Sequence, residues 1–597
     1  MRRPLSFKHF VVIPSLLLGL GSVNACYDTG DGTDPPLESF YFPVGLQVSH
    51  GGSVLYAVNS DFDLQYNGGT VQSYDLRLIR RHVLDIIADP RSPNVPLLRR
   101  GDATGGNPCP AEPPVEKQGG GTGRQPLGET CAPPVDSKFY FRDSAVIGAF
   151  ATDMQLSLPP DRLVIQSPKA SASDPNPTPG TRSTDRLFIP VRGNATLTWI
   201  SVARDTPETV PPEDPNTPYA PFRLTCGQDA NRRCDSAHQV GEDTTEVDNT
   251  RGITMPGEPF GMATSEDGRA ILITHQNETK TSLFSTGLTR EDNDGQERSP
   301  SIQFVLEQVP FGGVGLTPIP HDRDAFLGAA ELPRSAFLES SRVIPEISLI
   351  RQYPDEFGGL ASAQKRQFLA LERSFPITAA AGGTDSRGLV IDPTPRLACK
   401  AKVKPVDGTR TQADVDRDIV ACARKPARVF IANRSPAALL VGDIGVTEGT
   451  DGAYDPDRLV IHSSIPLSAG PSKVYLAPIV DKDGRFALRV FAVCFDSAMV
   501  FVIDPDTGNL ENVIRTGPGP FAMAFDPFTL EGVARNDEVA FDTRDPGRNL
   551  RRYRFAYLAS FTQSFVQIID LDDSLPIPAT FEKVVFTLGL PTNPKGT

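Results

Sequence analysis

Residues 470–527 constrain the fold more than any other stretch, because within them one pattern of short strands ends and begins again. An apolar run, 473–480, meets an Asp-Gly turn at Asp483-Gly484. Residues 486–495 follow, then a bend at Asp496-Ser497, then 499–503, and 504–508 turns the chain once more. A Gly-Pro-Phe at Gly519 opens the next unit. Short apolar runs separated by turn chemistry, followed by a fresh start, mark a repeating antiparallel meander. Within 486–495, Phe491, Val493 and Phe495 fall on one face and Ala492 and Cys494 on the other. With both faces apolar, this strand has to be covered on both sides, as when one four-stranded sheet packs between two others. The blades of a β-propeller pack in that way.

Six further units are legible. The first spans 43–76, and the second is split, with 144–157 as its inner strand and 186–202 as the next two. The third spans 258–288. The fourth combines 301–320 with 346–353, and 322–345 is expected to be partly helical. The fifth opens at 379–392 and resumes at 427–444, and the seventh runs from 519–527 through 553–571. Residues 583–589 read as a last strand, expected to close the ring by pairing with 39–42 or with the first strand, since closure removes an exposed sheet edge. The chain is therefore expected to be all-β: a seven-bladed β-propeller of four-stranded antiparallel blades over 39–590. Long inserted loops fall near 101–136, 167–184, 205–257 and 400–426, and 591–597 form a tail. A seven-plus-one or split-domain arrangement is the alternative, because the fourth unit is the weakest.

The unit 470–527 resembles the YVTN-type repeat of lactonase-like seven-bladed β-propellers. That repeat runs Pro-x-x-apolar-Ala-apolar-Ser-x-Asp-Gly, then a Leu-Tyr-Val-Ala-Asn-like strand, then Val-x-Val-Ile-Asp. The resemblance implies the fold. It also implies an alternative function, hydrolysis of lactones or related small esters at the axial channel. His275 stands at a strand end where that family often has Asn, which places it near the channel rim. Arg192, Asn194, Asn433 and Arg434 sit at matching strand ends and are further candidate rim residues. Each of these also reads as a side chain that satisfies its own loop by hydrogen bonding.

At the N-terminus, Arg2, Arg3 and Lys8 precede an apolar stretch from Phe10 to Val23, and Val23-Asn24-Ala25-Cys26 follows. A basic start, a short apolar core and small residues before a cut make an export signal, here 1–25. The apolar run is shorter than the roughly 20 residues of a membrane span. Val-Asn-Ala-Cys resembles a bacterial lipobox, which implies lipidation at Cys26 and anchoring to a bilayer. Ordinary cleavage after Ala25, leaving Cys26 a plain thiol, is the other reading. Tyr27 in place of Asp after the cysteine points to the outer membrane. Arg2-Arg3 also opens a twin-arginine reading that the following residues do not continue. The polar segment 26–38 is expected to tether the lipid to the folded body. Eight cysteines suit export. Apart from Cys26, they are expected to form three local disulfides, Cys109 with Cys131, Cys226 with Cys234 and Cys399 with Cys422, because near partners meet at low entropic cost. Cys494, inside an apolar strand, is expected to remain a buried free thiol.

A net charge of −14 argues against nucleic-acid binding. No two of the seven histidines lie at metal-ligand spacing, and neither His-Glu-x-x-His nor Cys-x-x-Cys occurs, so no metal or cofactor is expected. Gly-x-Ser-x-Gly and phosphate-loop motifs are absent as well. Trp199 ends a strand and reads as core. The expected role is binding or scaffolding, non-catalytic, in the bacterial cell envelope. The expected partners are the membrane, through Cys26, and an envelope protein or glycan.

Overall fold

The computed structural model describes residues 32–591 apart from 89–114, 117–121, 124–133, 158–183, 206–211, 213–216, 247–248, 250, 289–297, 330–332, 354–366, 378–382, 448–453, 537–553 and 575–579. Seven antiparallel sheets succeed one another along the chain and form a seven-bladed β-propeller. Blade 1 is Pro43–Val48, Val54–Asn59, Gly69–Asp75 and Phe141–Ile147. In blade 2 the strands are Gln155–Leu156, Thr184–Val191 and Thr196–Ala203, with an outer strand in two pieces, Leu224–Thr225 and Gln239–Val240. Blade 3 is Pro259–Thr264, Ala270–His275, Lys280–Ser285 and Ser301–Glu307. Blade 4 is Gly313–Pro318, Ala336–Ser341, Glu346–Tyr353 and Phe368–Pro376. Blade 5 is Thr384–Asp392, Ala427–Ser435, Ala437–Ile444 and Leu459–Pro466. Blade 6 is Pro471–Val480, Phe486–Cys494, Met499–Ile503 and Leu510–Arg515, and blade 7 is Pro520–Phe525, Phe555–Ser560, Phe565–Asp570 and Val584–Leu588.

The core lies between blades. In Phe486–Cys494, Phe491 and Val493 pack with Met523 and Leu558 of blade 7, while Ala492 and Cys494 pack with Phe430 and Leu439 of blade 5. The two apolar faces of that strand are thus each covered by a neighbouring sheet. Cys494 is a buried free thiol. Cys226 pairs with Cys234 inside the divided outer edge of blade 2. Cys399 pairs with Cys422 and joins two helices, Thr394–Lys400 and Gln412–Ala423, in the insertion of blade 5. Cys26, Cys109 and Cys131 lie outside the described residues, as does all of 1–25.

Three expectations need correction. Residues 144–157 are not one inner strand: Phe141–Ile147 completes blade 1, and only Gln155–Leu156 begins blade 2. The fourth unit does not open at 301, because Ser301–Glu307 is the outer strand of blade 3; its span 322–345 is partly helical as expected, at Arg323–Phe326, and adds a full strand, Ala336–Ser341, so the unit is an ordinary blade. Ring closure does not pair the last strand with 39–42 or with the first strand. Val584–Leu588 is the fourth strand of blade 7, and its free edge takes Pro134–Val135 of blade 1 in parallel. Its exit is held too, by Gly589 N donating to Val135 O at 2.7 Å. The seam is also clamped by the helix Leu76–Ala88, whose Arg80 forms an ion pair with Asp526 at the end of the first strand of blade 7.

The antiparallel order sorts the connections onto two faces. Those between first and second strands, and between third and fourth, leave on one face: 76–140, 157–183, 204–223, 286–300, 319–335, 393–426 and 526–554 among them. Those between second and third strands, and from blade to blade, leave on the other, where the longest are 60–68 and 241–258. One face is loaded with insertions; the other is plain. The chain enters on the plain face. The described end of the expected tether is hydrogen-bonded to blade 1, with Asn67 N donating to Thr33 O at 3.0 Å and Gln72 Nε2 to Leu37 O at 2.9 Å.

Candidate functional site

The axial channel is framed by the first strand of every blade. On the plain face these strands share a register irregularity after the residue that pairs with the end of the second strand: Pro43 with Asn59, Pro259 with His275, Gly313 with Ser341, Ser386 with Asn433, Pro471 with Cys494 and Pro520 with Ser560. Ala151 bridges to Val191 at the matching place in blade 2. Two residues further along stand Gly45, Asp153, Gly261, Gly315, Gly388, Lys473 and Ala522. Small residues dominate because neighbouring strands converge there. A Cβ on Gly261 would fall 2.1 Å from Val314 O, and one on Gly315 would fall 2.2 Å from Arg387 O.

The two exceptions meet. Lys473 Nζ lies 3.1 Å from Asp153 Oδ1. Blades 2 and 6 are as far apart as two blades can be in a ring of seven, so this pair spans the axis. Burial works against the charge on Lys473, but Asp153 outweighs it, and the ammonium is held above the ordinary lysine range. Lys473 Nζ also sits 4.9 Å over the ring of Phe521, within cation–π range. From Phe521 a chain of aromatic contacts covers the mouth: Phe521 to Phe561 at 5.9 Å, Phe561 to Phe42 at 4.9 Å, Phe561 to Phe62 at 5.3 Å and Phe62 to Phe150 at 5.8 Å between ring centroids. Phe495 joins through Phe561 at 6.2 Å. The mouth on the plain face is closed by one ion pair beneath an aromatic cap.

The five rim candidates all lie toward this face, but the structure does not bring them together. His275 is buried, with Nδ1 2.8 Å from Gly257 O and Nε2 2.8 Å from Ser282 Oγ. Burial pushes its imidazole down to about 4. Asn433, also buried, donates to Pro436 O at 2.8 Å and accepts from Ser386 Oγ at 3.1 Å. Asn194 donates to Gln239 Oε1 at 3.0 Å. Arg192 pairs with Glu258, and Arg434 with Asp496. Among the described residues no hydrogen bond or ion pair joins one of the five to another: His275, Asn433 and Asn194 bond within their own blade or its entry loop, whereas Arg192 and Arg434 each pair with a carboxylate of the next blade. Lys473 and Asp153 went unread. The signal for them was the Pro-x-Gly spacing of Pro43-Val44-Gly45 and Pro259-Phe260-Gly261, from which Pro471-Ser472-Lys473 departs.

On the loaded face, acid and base groups join blades 4 and 5, through Lys400 with Asp322 and Asp324 and through a network around Asp457. His321 Nε2 lies 2.6 Å from Asp457 Oδ1, Arg351 donates to Asp457 Oδ2 at 2.5 Å, and Arg351 Nε donates to Glu372 at 2.8 Å. Burial raises Asp457, but hydrogen bonds and charge from His321 and Arg351 outweigh it and hold the carboxyl below the usual range. These contacts tie the blade 4 insertion to blade 5 and occupy both carboxylate oxygens. Among the described residues no group of three or more His, Cys, Asp or Glu side chains converges to hold a metal, and no helix is long and apolar enough to cross a membrane.

No protein-family model matches the chain, and no curated protein matches it. Solved structures do. A periplasmic gluconolactonase from Pseudomonas aeruginosa is 12% identical, with a TM-score of 0.36 over 80% of this chain and 86% of that one. A Bacteroides uniformis protein named as a 6-phosphogluconolactonase is 13% identical, with a TM-score of 0.35 over 79% and 85%. Hydrazine synthase from Kuenenia stuttgartiensis is 10% identical, with a TM-score of 0.32 over 91% and 98%. At these values the likenesses carry no argument about activity, and the fold rests on the seven sheets themselves.

Proposed function

We propose that this chain is a non-catalytic binding or scaffolding propeller of the bacterial cell envelope, anchored by lipid on Cys26. The observation that carries the reading is the sorting of insertions onto one face. Rigid blades that present long loops on a single side make a binding platform, since recognition concentrates on loops held by a rigid scaffold. The other end of the axis is taken up by the Lys473–Asp153 pair and its aromatic cap, which supports a closed channel mouth rather than an open reaction site. The rival reading, hydrolysis of a lactone or small ester at the channel, would have to work through Lys473 and Asp153.

The test is capture of envelope proteins from detergent extracts by the full chain and by a variant in which 105–130 is replaced with a short Gly-Ser linker. The excision must spare Pro134–Val135, which pairs with blade 7. The binding reading expects a partner that the full chain captures and the variant does not, with circular dichroism unchanged. Lactone hydrolysis that Lys473→Ala abolishes would overturn it.

A further inference from the structure

We propose that the plain face lies against the bilayer, with Phe62 and Leu64 seated in the lipid interface. This rests on the reading that Cys26 carries the anchor, and it adds which way the propeller faces. Six positions after Cys26 the chain is held to blade 1: Gly32 O accepts from Asn67 Nδ2 at 3.3 Å, and Thr33 O from Asn67 N at 3.0 Å. Further along, Gln72 Nε2 donates to Pro36 O at 3.2 Å and to Ser39 O at 3.0 Å. Six residues reach at most about 20 Å when fully extended, at about 3.5 Å each. The loop that holds Gly32 is therefore within about 20 Å of the lipid.

That same loop, 60–68, carries two of the exposed apolar groups of the plain face, the others among the described residues being Phe311, Val343 and Leu590. Phe62 is 46% exposed and Leu64 is 40% exposed. The ring of Phe62 rests on Phe42, Phe150 and Phe561 at centroid distances of 6.0, 5.8 and 5.3 Å, so it stands on a packed aromatic base. The loop is braced further by Tyr41, whose hydroxyl donates to Asp63. Toward the mouth, charged groups are paired: Lys473 with Asp153, Arg192 with Glu258 and Arg434 with Asp496. Amphipathic and aromatic groups beside a lipid anchor partition into the headgroup zone, and a second contact of this kind strengthens attachment by one acyl signal. The loaded face begins a strand length further away, about 20 Å for the six residues of Val54–Asn59. A tether this short keeps the insertions pointing away from the membrane.

The experiment uses the acylated full chain in vesicles of phosphatidylethanolamine and phosphatidylglycerol with brominated acyl chains, which quench nearby tryptophan. Phe62→Trp and Leu64→Trp are compared with Val406→Trp, whose side chain is 50% exposed on the loaded face. Quenching is expected to remove at least about half of the added emission at 62 and 64 and none at 406. Equal quenching at 62 and 406, or none at 62 and 64 while the protein still floats with vesicles, overturns the orientation and leaves the anchor standing. If the wild type and Cys26→Ser both fail to float, the anchor reading itself fails and the orientation falls with it. Loss of self-association in Phe62→Ser, seen by sedimentation, would assign the patch to a second copy instead.

Discussion

The ring seam makes the strongest structural prediction. Arg80 and Asp526 are both buried, with side chains 1% and 0% exposed. Asp526 also accepts from Phe555 N at 3.0 Å and from Tyr557 OH at 2.9 Å, while Arg80 donates to Gly52 O at 2.5 Å. In Arg80→Met the carboxylate keeps two neutral donors and the nearby charge of Arg554, and loses its direct ion-pair partner. In Asp526→Asn the guanidinium keeps one carbonyl and a weak amide acceptor. Removing one partner of a buried pair costs about 3–5 kcal/mol, whereas replacing both partners removes the orphaned charge along with the attraction. Each single variant should therefore lose about 3–5 kcal/mol. The double variant should lose about as much as one single, a coupling of at least about 2 kcal/mol, above the additivity expected of independent sites. Urea unfolding followed by far-ultraviolet circular dichroism measures all four proteins. Single losses below about 0.5 kcal/mol, the range of ordinary surface changes, or a strictly additive double variant, would refute the claim that this pair closes the ring.

Three further outcomes follow from buried groups. His275 has its imidazole pushed by burial from 6.5 to about 4, so the unfolded chain takes up this proton first as pH falls. Stability is then lost between about pH 6.5 and 4, by about 3 kcal/mol at roughly 1.36 kcal/mol per unit. His275→Asn, with the residue found at the equivalent places Asn59 and Asn433, should flatten that part of the pH profile in denaturant melts. Glu339 is raised by burial from 4.5 to about 8 and accepts from Thr281 Oγ1 at 2.6 Å, so the folded chain holds a proton that the unfolded chain gives up. Its contribution declines as pH rises from about 4.5 to 8, and Glu339→Gln should stabilise the protein at pH 7 by about 3 kcal/mol and not at pH 4.5. Cys494 is buried, and burial pushes its thiol up to about 12. Peptide mapping after iodoacetamide should find it unmodified in the native protein and alkylated after denaturation.

Much of the blade pattern was open to reading because it is local. Turn pairs such as Asp483-Gly484 and the two-sided apolar strand Phe486–Cys494 carry their own evidence within ten residues, and the strands of blade 6 lie where the spacing put them. Blade 2 was misassigned because its first strand is only Gln155–Leu156, too short to show a period against the apolar run before it. Ring closure was misassigned for a related reason: Pro134–Val135 has no pattern of its own and becomes a strand only by landing on blade 7. At the axial site, the strand-end residues stand at matching places in the repeats, but none pairs with another of the five, and Arg192 and Arg434 pair with the next blade instead. Lys473 and Asp153 lie 320 residues apart, and only the closing of the ring brings them together.

The central claim is that partners are bound on the loaded face. Amine-reactive cross-linking on intact envelope membranes, followed by peptide mass spectrometry, tests it most directly. Lys402, Lys404 and Lys425 are exposed in the blade 5 insertion on the loaded face, whereas Lys280 begins the third strand of blade 3 on the plain face. The account predicts partner peptides joined to Lys402, Lys404 or Lys425 and none joined to Lys280. Partner cross-links confined to Lys280 would contradict it.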